Sequence, residues 1–494
     1  MKLLERARTP FRTIIIRIFG RVAITMVTSQ QGFELKKTMS DIATEGVTVA
    51  LTSFAHTLTL SDVSPSARES AKRALVNILG CCIGGSHHEI VEKAARALIP
   101  LAGGETCTLL GRPERVDVLT AALINALSSA AYSFDDTHSE ALLHPSGAVA
   151  TTLLALAERQ RLTGSDFLLS MVLGIEIAGR LSKAVSVPPA QGDIGWSQTG
   201  IAAGVGAAAA AAKALRLTSE QISWAIGIAA TQSSGFRAAH GSMSATLIFG
   251  HAAQTGLRAA ILAQHGFDGP RAPLEGKYGY LSLFSSKPHF EYLLPPLGSP
   301  FEVEALAFKP YPCGAVIHPV VDAALQWNHS NGADRSRQIR EVRLRTHPSA
   351  MALGFRRHPE NVLEAKVSLF HWVATALRYG RASIAEGQSQ VVQDVGIAQL
   401  RDRINVLTDD AIAPESAVLR VLLESGEEQT VSIEHCKGSV MNPMSDDDIN
   451  EKFYQQALLH LSRFEATTMC QRSWRIEELE DAANIMRVAA PSPI

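Results

Sequence analysis

The stretch Ser64–Gly85, SPSARESAKRALVNILGCCIGG, predicts the kind of fold that this 494-residue chain adopts. Ser64 suits an N-cap and Pro65 suits the first helical position. Ala67, Ala71 and later small or apolar residues recur at helical spacing until Gly84 and Gly85 end the run. The pattern indicates a helix that is buried along one face.

Similar helical patterns continue through the chain as far as Gln264. They are Val118–Ser133, Ala148–Gln160, Phe167–Val185, Gly200–Leu215, Ser219–Ser234 and Phe249–Gln264. Alternating runs then predict strands at Ile339–Arg345 and Val418–Glu424, and the second strand should form a hairpin with Thr430–Ile433. The helical pattern returns after Ser445, a predicted cap, and continues through Phe453.

This order predicts a mainly α protein with an α+β insert. We expect a helical domain built from residues 39–303 and 438–494, with residues 304–437 forming a smaller α/β lid domain. Residues 1–38 are expected to form a basic leader or a disordered tail, since they carry eight basic residues against two acidic ones. An Arg-rich, acid-poor leader of this kind is compatible with organelle targeting, but we favour an upstream start site or a disordered tail ahead of Met39.

Composition excludes several classes of protein. The 46 Lys and Arg residues nearly balance the 48 Asp and Glu residues, so the net charge of -2 does not favour nucleic acid or an anionic membrane surface. The most apolar stretch, Ile201–Ala212, is rich in Ala and Gly and is too short to cross a bilayer. Six scattered cysteines without a CxxC pair indicate a reducing, cytoplasmic setting.

The densest polar cluster of the sequence lies between two apolar helical patterns. It runs from Phe134 to Gly147 and contains Asp135, Asp136, Thr137, His138 and His144. Histidines beside carboxylates suit proton transfer near neutral pH, so we interpret this connection as a candidate acid–base site. Helix capping by either aspartate, with solvated histidines, is an alternative. No HExxH or CxxC spacing accompanies the cluster, and we therefore predict no metal site.

The cluster FDDTHSEALLHPSGAV (134–149) resembles a signature of the MmgE/PrpD family. Further segments resemble the family in the same order along the chain, from about Val49 to Phe453. They are AKRALVNILGCCIGG, GWSQTGIAAGVGAAAAAAKAL, LEGKYGYLSLF, FKPYPCGAVIHPVVDAA, EAKVSLFHWVATAL and MNPMSDDDINEKF. The family includes 2-methylcitrate dehydratases, cis-aconitate decarboxylases and iminodisuccinate epimerases. The resemblance implies a helical domain with an α/β lid, a homodimer, a small carboxylate substrate and neither a metal nor an organic cofactor.

The resemblance also suggests which residues line the site. Asp135, Asp136, Thr137 and His144 match the family's pattern. Ser197 stands where the family often has His, and Ala245 and Ile248 stand where it has Lys and His. A pocket with fewer cationic side chains can balance the charge of fewer substrate carboxylates. These replacements therefore favour a smaller or less charged substrate.

Further candidates come from the segments around the cluster. Arg237 and His240 are expected to contact substrate, with a structural ion pair as the alternative for Arg237. Lys309 and Tyr311 are expected to close over bound substrate, and His318 either binds substrate or caps the helix that it begins. Glu364 and Lys366 are interpreted as a structural polar pair, and Cys313 as a buried core residue.

The predicted chemistry is proton transfer next to a carboxylate. Asp135, Asp136 or His144 would move the proton, and Thr137, His138 and Ser197 would contact the substrate together with the candidates named above. The first hypothesis is a dehydratase or decarboxylase that acts on a methylcitrate- or aconitate-like acid. The alternatives are an epimerase of an iminodisuccinate-like dicarboxylate and a catalytically silent carboxylate-binding homodimer.

Overall fold

The computed structural model describes residues 11–18, 21–28, 46–186 and 195–488 of the chain. Strands β1 (Phe11–Ile18) and β2 (Arg21–Thr28) pair antiparallel within a unit of their own. The rest of the predicted basic leader lies outside the described residues. Its role, whether in targeting or as a tail, stays a prediction.

The unit that begins at residue 46 is mainly helical, as predicted, and contains a smaller β part. Its α-helices in chain order are α1 (Val47–Thr57), α2 (Pro65–Gly85), α3 (Glu89–Leu98), α4 (Val118–Ala130), α5 (Ser146–Arg159), α6 (Gly164–Ser186), α7 (Gly204–Ala214), α8 (Ser219–Ala230), α9 (Ser244–Gln264), α10 (Tyr280–Phe284), α11 (His318–Asn331), α12 (Ala333–Ser336), α13 (Pro348–Gly354), α14 (Val362–Ala365), α15 (Leu369–Tyr379), α16 (Ser389–Val392), α17 (Val395–Asp402), α18 (Asp446–Ala457) and α19 (Arg463–Trp474). Its strands are β3 (Cys107–Thr108), β4 (Arg115–Val116), β5 (Asp136–His138), β6 (Leu306–Phe308), β7 (Ile339–Thr346), β8 (Ile404–Thr408), β9 (Ala417–Leu423) and β10 (Glu428–Ile433).

Helix α2 begins and ends where its sequence predicts. The Ser64 hydroxyl accepts a hydrogen bond from the Ala67 amide at 3.1 Å, and Pro65 occupies the first turn. Its face from Ala67 to Gly85 is buried. Helix α18, whose cap is Ser445 as predicted, packs on this face, and a Cβ atom at Gly84 would lie 2.8 Å from Gln456 Cβ. A late segment of the chain therefore shares a core with an early one.

Small residues set the spacing of the central helices α6, α7 and α9. A Cβ atom at Gly206 of α7 would lie 2.3 Å from the carbonyl oxygen of Gly174 on α6. One at Gly256 of α9 would lie 2.5 Å from Ala207 Cβ on α7. The Ala- and Gly-rich segment thus serves close helix packing, as the sequence indicates. None of the helices in the described ranges is both long and apolar enough to cross a membrane.

The α+β part is built on a four-stranded sheet of order β10-β9-β7-β8. Strand β9 pairs antiparallel with β7 and β10, and β8 runs parallel to β7, so the predicted hairpin of β9 and β10 is confirmed. Alternate residues of β7 and β9 are buried, and this face packs with helices α11 and α15 around Trp327 and Trp372. The domain boundaries at residues 303/304 and 437/438, and a lid function for this part, stay predictions.

All six cysteines are buried and free, in keeping with the absence of paired spacing in the sequence. Cys313, which was predicted to be a core residue, is fully buried within the core of the α+β part. Burial also raises the pKa of the Cys81 thiol to about 11, which keeps it protonated and unreactive.

The close approach of α6 and α7 gives a test of the packing. Gly206→Ala is expected to lower the free energy of unfolding by about 1–3 kcal/mol, because the added methyl overlaps the Gly174 carbonyl and outweighs the better helix propensity of alanine. Urea denaturation measures the change. Gly103→Ala, at an exposed glycine with open space around its Cβ position, is the matched control and should change stability by less than about 0.5 kcal/mol. Equal stability of the two variants would contradict the packing argument.

Candidate active site

Two short strands bring the polar cluster of residues 134–147 against a distant part of the chain. Strand β5 pairs antiparallel with β6, with Asp136 opposite Phe308 and His138 opposite Leu306. Continuing this register by one residue places Asp135 beside Lys309. Backbone pairing therefore fixes two charged side chains that lie 174 residues apart in sequence.

Lys309 and Asp135 form a buried ion pair. Lys309 Nζ lies 2.5 Å from Asp135 Oδ1, and the two side chains are only 2% and 3% exposed. Burial alone would raise the pKa of Asp135, but the positive charge of Lys309 and its hydrogen bond to the carboxylate outweigh burial and hold the pKa below its usual value. Asp135 is therefore a carboxylate at neutral pH, and the pair stays charged.

A second buried lysine supports the same two segments from behind. Lys452 of helix α18 is 4% exposed, and its ammonium donates to the Asn77 side-chain oxygen and the Phe134 carbonyl at 2.6 Å and to the Lys309 carbonyl at 2.8 Å. The ammonium also lies 4.1 Å from the centre of the Phe134 ring. Lys452 thus ties together the residue before Asp135 and the backbone of Lys309.

Asp136 is fully buried and differs from Asp135 in its partners. Neither of its carboxylate oxygens has a hydrogen-bond partner among the described residues. Burial raises its pKa to about 7, and the nearby hydroxyl of Ser146 only partly offsets this effect. Asp136 therefore exchanges its proton near neutral pH, which is typical of acid–base groups at active sites. Neither aspartate caps a helix, so the capping alternative is wrong.

His144 is held in a defined tautomer. Its Nδ1 lies 2.7 Å from the carbonyl oxygen of Asp136, which can only accept, so Nδ1 carries the hydrogen and Nε2 carries the lone pair. The Thr137 hydroxyl lies 3.1 Å from the same nitrogen. The His144 amide donates to the Thr199 hydroxyl at 3.1 Å, at the start of a π-helical turn (Thr199–Ala203). Burial and the charge of Lys309 lower the pKa of His144 to about 4, so the ring is a neutral base at pH 7.

A cavity of about 220 Å³ opens in front of these groups. Thr137, His144 and Lys309 line it, whereas Asp135 and Asp136 lie behind its wall. Ser133 and Leu142, which flank the cluster and also line the cavity, have left-handed backbone φ angles of 54° and 52°. Such conformations are uncommon for residues other than glycine and are often found at functional sites.

The cavity is suited to an anion. Its lining includes three cationic side chains, and its described lining residues include no aspartate or glutamate. The cations are Lys309, Lys366 and Arg237. Lys366 donates to the Ala131 carbonyl at 3.2 Å, and burial lowers its pKa to about 8, so it is mostly protonated at pH 7. His240 also lines the cavity; burial and Arg237 lower its pKa, which leaves the ring neutral.

The structure brings together many of the residues that the sequence predicts for the site. Thr137, His144, Ser197, Arg237, His240 and Lys309 line one cavity. Ser197 additionally accepts a hydrogen bond from the Gly200 amide at 3.3 Å, so its hydroxyl caps the segment that follows. The assignment of individual roles to these residues stays a prediction.

Three other predicted residues lie outside this cavity. His138 is buried with its Nε2 2.7 Å from Glu302, and Glu302 in turn pairs with Lys183 at 2.7 Å. The Tyr311 hydroxyl donates to Asp322 instead of reaching the cavity. The His318 ring is buried against Tyr311, with centroids 5.4 Å apart, and burial lowers its pKa to about 3. The contacts of these three residues are with other side chains of the protein and are typical of residues that stabilise the fold.

Sequence reasoning assigned Lys366 and Lys452 no role in the site. Lys366 was predicted to pair with Glu364, but Glu364 instead accepts from the Glu360 amide at 2.9 Å and Lys366 faces the cavity. No pattern near Lys452 indicates that its ammonium reaches Phe134, 318 residues away.

The sequence also predicts that the chain has no metal site. Within the described ranges, His, Cys, Asp and Glu side chains form no group of three or more that could hold a metal ion.

Comparisons with known proteins match nearly the whole described chain. A model of the MmgE/PrpD N-terminal domain matches residues 49–293, and a model of the MmgE/PrpD C-terminal domain matches residues 311–476. The chain is 26% identical to the cis-aconitate decarboxylase of Homo sapiens, over 91% of this chain and 96% of that protein. It is 26% identical to the cis-aconitate decarboxylase-like protein oryM of Aspergillus oryzae, over 85% and 92%. It is 29% identical to the cis-aconitate decarboxylase of Aspergillus terreus, over 58% and 61%.

The buried ion pair predicts a non-additive effect on stability. Lys309→Met leaves Asp135 as an unpaired buried carboxylate and is expected to lower the free energy of unfolding by about 3–5 kcal/mol. The double variant Lys309→Met with Asp135→Leu should lose less than the sum of the two single variants, because no uncompensated charge remains. Urea denaturation of the four proteins measures the coupling. Additive losses would show that the two side chains do not interact.

The raised pKa of Asp136 predicts a pH-dependent gain in stability for Asp136→Asn. Between the ordinary pKa of 3.8 and about 7, the unfolded chain has lost this proton while the folded chain keeps it. The stability of the unmodified protein therefore falls as the pH rises through this window. Relative to the unmodified protein, the Asn variant should gain up to about 4 kcal/mol between pH 4 and pH 8.

Chemical denaturation at several pH values measures this difference. Asp410→Asn, at an exposed aspartate, serves as the control and should show no comparable dependence on pH. A constant difference between the Asp136→Asn variant and the unmodified protein from pH 4 to pH 8 would mean that Asp136 ionises normally in the fold.

Proposed function

We propose that this chain, which belongs to the MmgE/PrpD family, is a decarboxylase of a small unsaturated carboxylic acid of the cis-aconitate type. The observation that carries the proposal is the cavity lined by Lys309, Lys366 and Arg237, with a neutral histidine base and no acidic side chain among its described lining residues. Relatives named cis-aconitate decarboxylase support this reaction over the others of the family.

The cavity's cations account for substrate binding in this proposal. A carboxylate that enters the cavity loses part of its hydration, and charge-assisted hydrogen bonds from ammonium groups replace it. Lys309 already shares its charge with Asp135, whereas Lys366 is bonded only to a neutral carbonyl among the described residues. Lys366 is therefore the stronger attractor for a substrate carboxylate.

His144 is the proposed proton carrier. When the carbon–carbon bond to the departing carboxylate breaks, carbon dioxide leaves and the electron pair spreads through the neighbouring double bond toward a remaining carboxylate. One proton must then be added to carbon. A bound anion beside His144 favours the protonated ring, so Nε2 can take up a proton as substrate binds and deliver it to that carbon. The hydrogen bond from Nδ1 to the Asp136 carbonyl keeps Nε2 in position.

Other features of the proposal come from the family resemblance. They are a homodimer and a reaction without a metal or an organic cofactor. The steps above need charge compensation and one proton carrier, both of which the chain's own side chains can supply.

The reaction is tested by incubating the protein separately with cis-aconitate and with iminodisuccinate in deuterated water and following each mixture by NMR. We expect loss of carbon dioxide from cis-aconitate and one solvent deuterium on a product carbon. Addition or loss of water would instead indicate a dehydratase, and deuterium exchange of a dicarboxylate such as iminodisuccinate without net loss of mass would indicate an epimerase. Binding without any conversion would support the catalytically silent alternative. Each of these three results would overturn the decarboxylase assignment.

The role of His144 gives a separate prediction. His144→Gln is expected to lower kcat by about 10²–10⁴-fold, because the amide keeps a polar side chain in place but cannot carry a proton. Steady-state kinetics with cis-aconitate measures the change. His265→Gln, at an exposed histidine just after helix α9, is the matched control and should keep full activity. Activity of the His144 variant within threefold of the unmodified protein would contradict the assignment.

A further inference from the structure

One arginine of the α+β part lies at the mouth of the cavity. Arg356 follows helix α13 and is half-buried. A Cβ atom at Gly241, which lines the cavity, would lie 3.3 Å from Nη2 of Arg356. His240 and Ser242, on either side of Gly241, also line the cavity and are exposed, so this loop forms part of the mouth. The Arg356 guanidinium therefore lies beside the entrance.

The backbone of Arg356 is held on the segment that carries Lys366. The Ser368 hydroxyl donates to the Arg356 carbonyl at 2.6 Å. Lys366 and Val367, which come just before Ser368, line the cavity. Leu353, three residues before Arg356, lines the cavity as well. Arg356 is thus attached to two segments of the cavity wall, and its position relative to the entrance is fixed by them.

The donors of the Arg356 guanidinium are available. The guanidinium has no ion-pair or hydrogen-bond partner among the described residues, and its carbon lies 4.9 Å from the centre of the exposed Phe355 ring. Burial is the main reason that the pKa of His240 is lowered, and the charge of Arg356 is a further cause. A guanidinium presents planar donors that match a carboxylate with two parallel hydrogen bonds. Arg356 is therefore suited to bind an anion that enters the cavity.

We propose that Arg356 binds a carboxylate of the substrate at the mouth of the cavity. This inference rests on the proposed function for the carboxylate class of the substrate and adds a residue that binds it. The contact is made with bound substrate and with the transition state alike, so its loss should raise KM and leave kcat nearly unchanged. A cation at the entrance also attracts the anion from solution, an effect that salt screens.

Binding of tricarballylate, a saturated and unreactive analogue of aconitate, tests the proposal without turnover. Arg356→Gln is expected to weaken this binding at least about tenfold in isothermal titration calorimetry at low salt, because a charge-assisted hydrogen bond is lost. The difference should shrink in about 0.5 M sodium chloride. Arg356→Lys keeps the charge without the planar fork and should bind the ligand at least about threefold more tightly than the Gln variant.

Arg340→Gln is the matched control. It removes the same charge from an exposed position of β7 and should bind tricarballylate as the unmodified protein does. Urea denaturation should give the same midpoint for Arg356→Gln as for the unmodified protein, since the guanidinium has no polar partner to lose among the described residues. Equal affinity of the Arg356→Gln variant and the unmodified protein, an equal loss in both Gln variants, or a loss of affinity that accompanies a loss of stability would overturn the proposal.

Two results separate this inference from the proposed function. If Arg356→Gln weakens the binding of tricarballylate but cis-aconitate is not decarboxylated, the role of Arg356 stands and the reaction assignment fails. If cis-aconitate is decarboxylated with the same KM by the Arg356→Gln variant, the decarboxylase proposal stands and the role of Arg356 fails. The expected result is a KM raised at least about tenfold with kcat within about threefold. Failure of the unmodified protein to bind tricarballylate would also overturn the inference.

Discussion

The buried pair of Lys309 and Asp135 is the interaction on which the candidate site depends. An ion pair of this kind gains little or no net stability, because both charges lose their hydration on burial. Its position must therefore be secured by other contacts, and the structure supplies them through the pairing of β5 with β6 and through the ammonium of Lys452. Three segments that are far apart in sequence converge on one charge pair, and the cavity wall is formed as a result.

The same arrangement separates the behaviour of two adjacent carboxyl groups. Asp135 has a lysine partner and stays ionised, whereas Asp136 is buried without a hydrogen-bond partner among the described residues and is ready to hold a proton. The backbone of Asp136 meanwhile fixes the His144 ring. A pair of titratable groups with pKa values pushed apart by their surroundings is a frequent basis for acid–base chemistry. Here the difference arises from their partners, since the Lys309 ammonium bonds Asp135 and no described residue donates a hydrogen bond to the Asp136 carboxylate.

The parts of the fold that could be predicted from the sequence are those determined by residues close together in the chain. The bounds of α2 follow from a cap, a proline and small-residue periodicity, and the hairpin of β9 and β10 follows from alternation around a Ser-Gly turn. Contacts between residues that are far apart in the chain produce no such local sequence pattern. His138 and His144 belong to one motif, yet only the tertiary fold turns one toward Glu302 and the other toward the cavity. Lys366 was missed for the same reason, since its environment is formed by the distant Ala131 carbonyl.

The two ends of helix α9 lie in different surroundings. Toward its C-terminal half, Gly256 is fixed in size, since any side chain there would meet Ala207. At its N-terminal end, Ala245 is only partly buried and faces the cavity, so no core contact requires a small residue at that position. One helix therefore packs into the scaffold with one end and lines the cavity with the other.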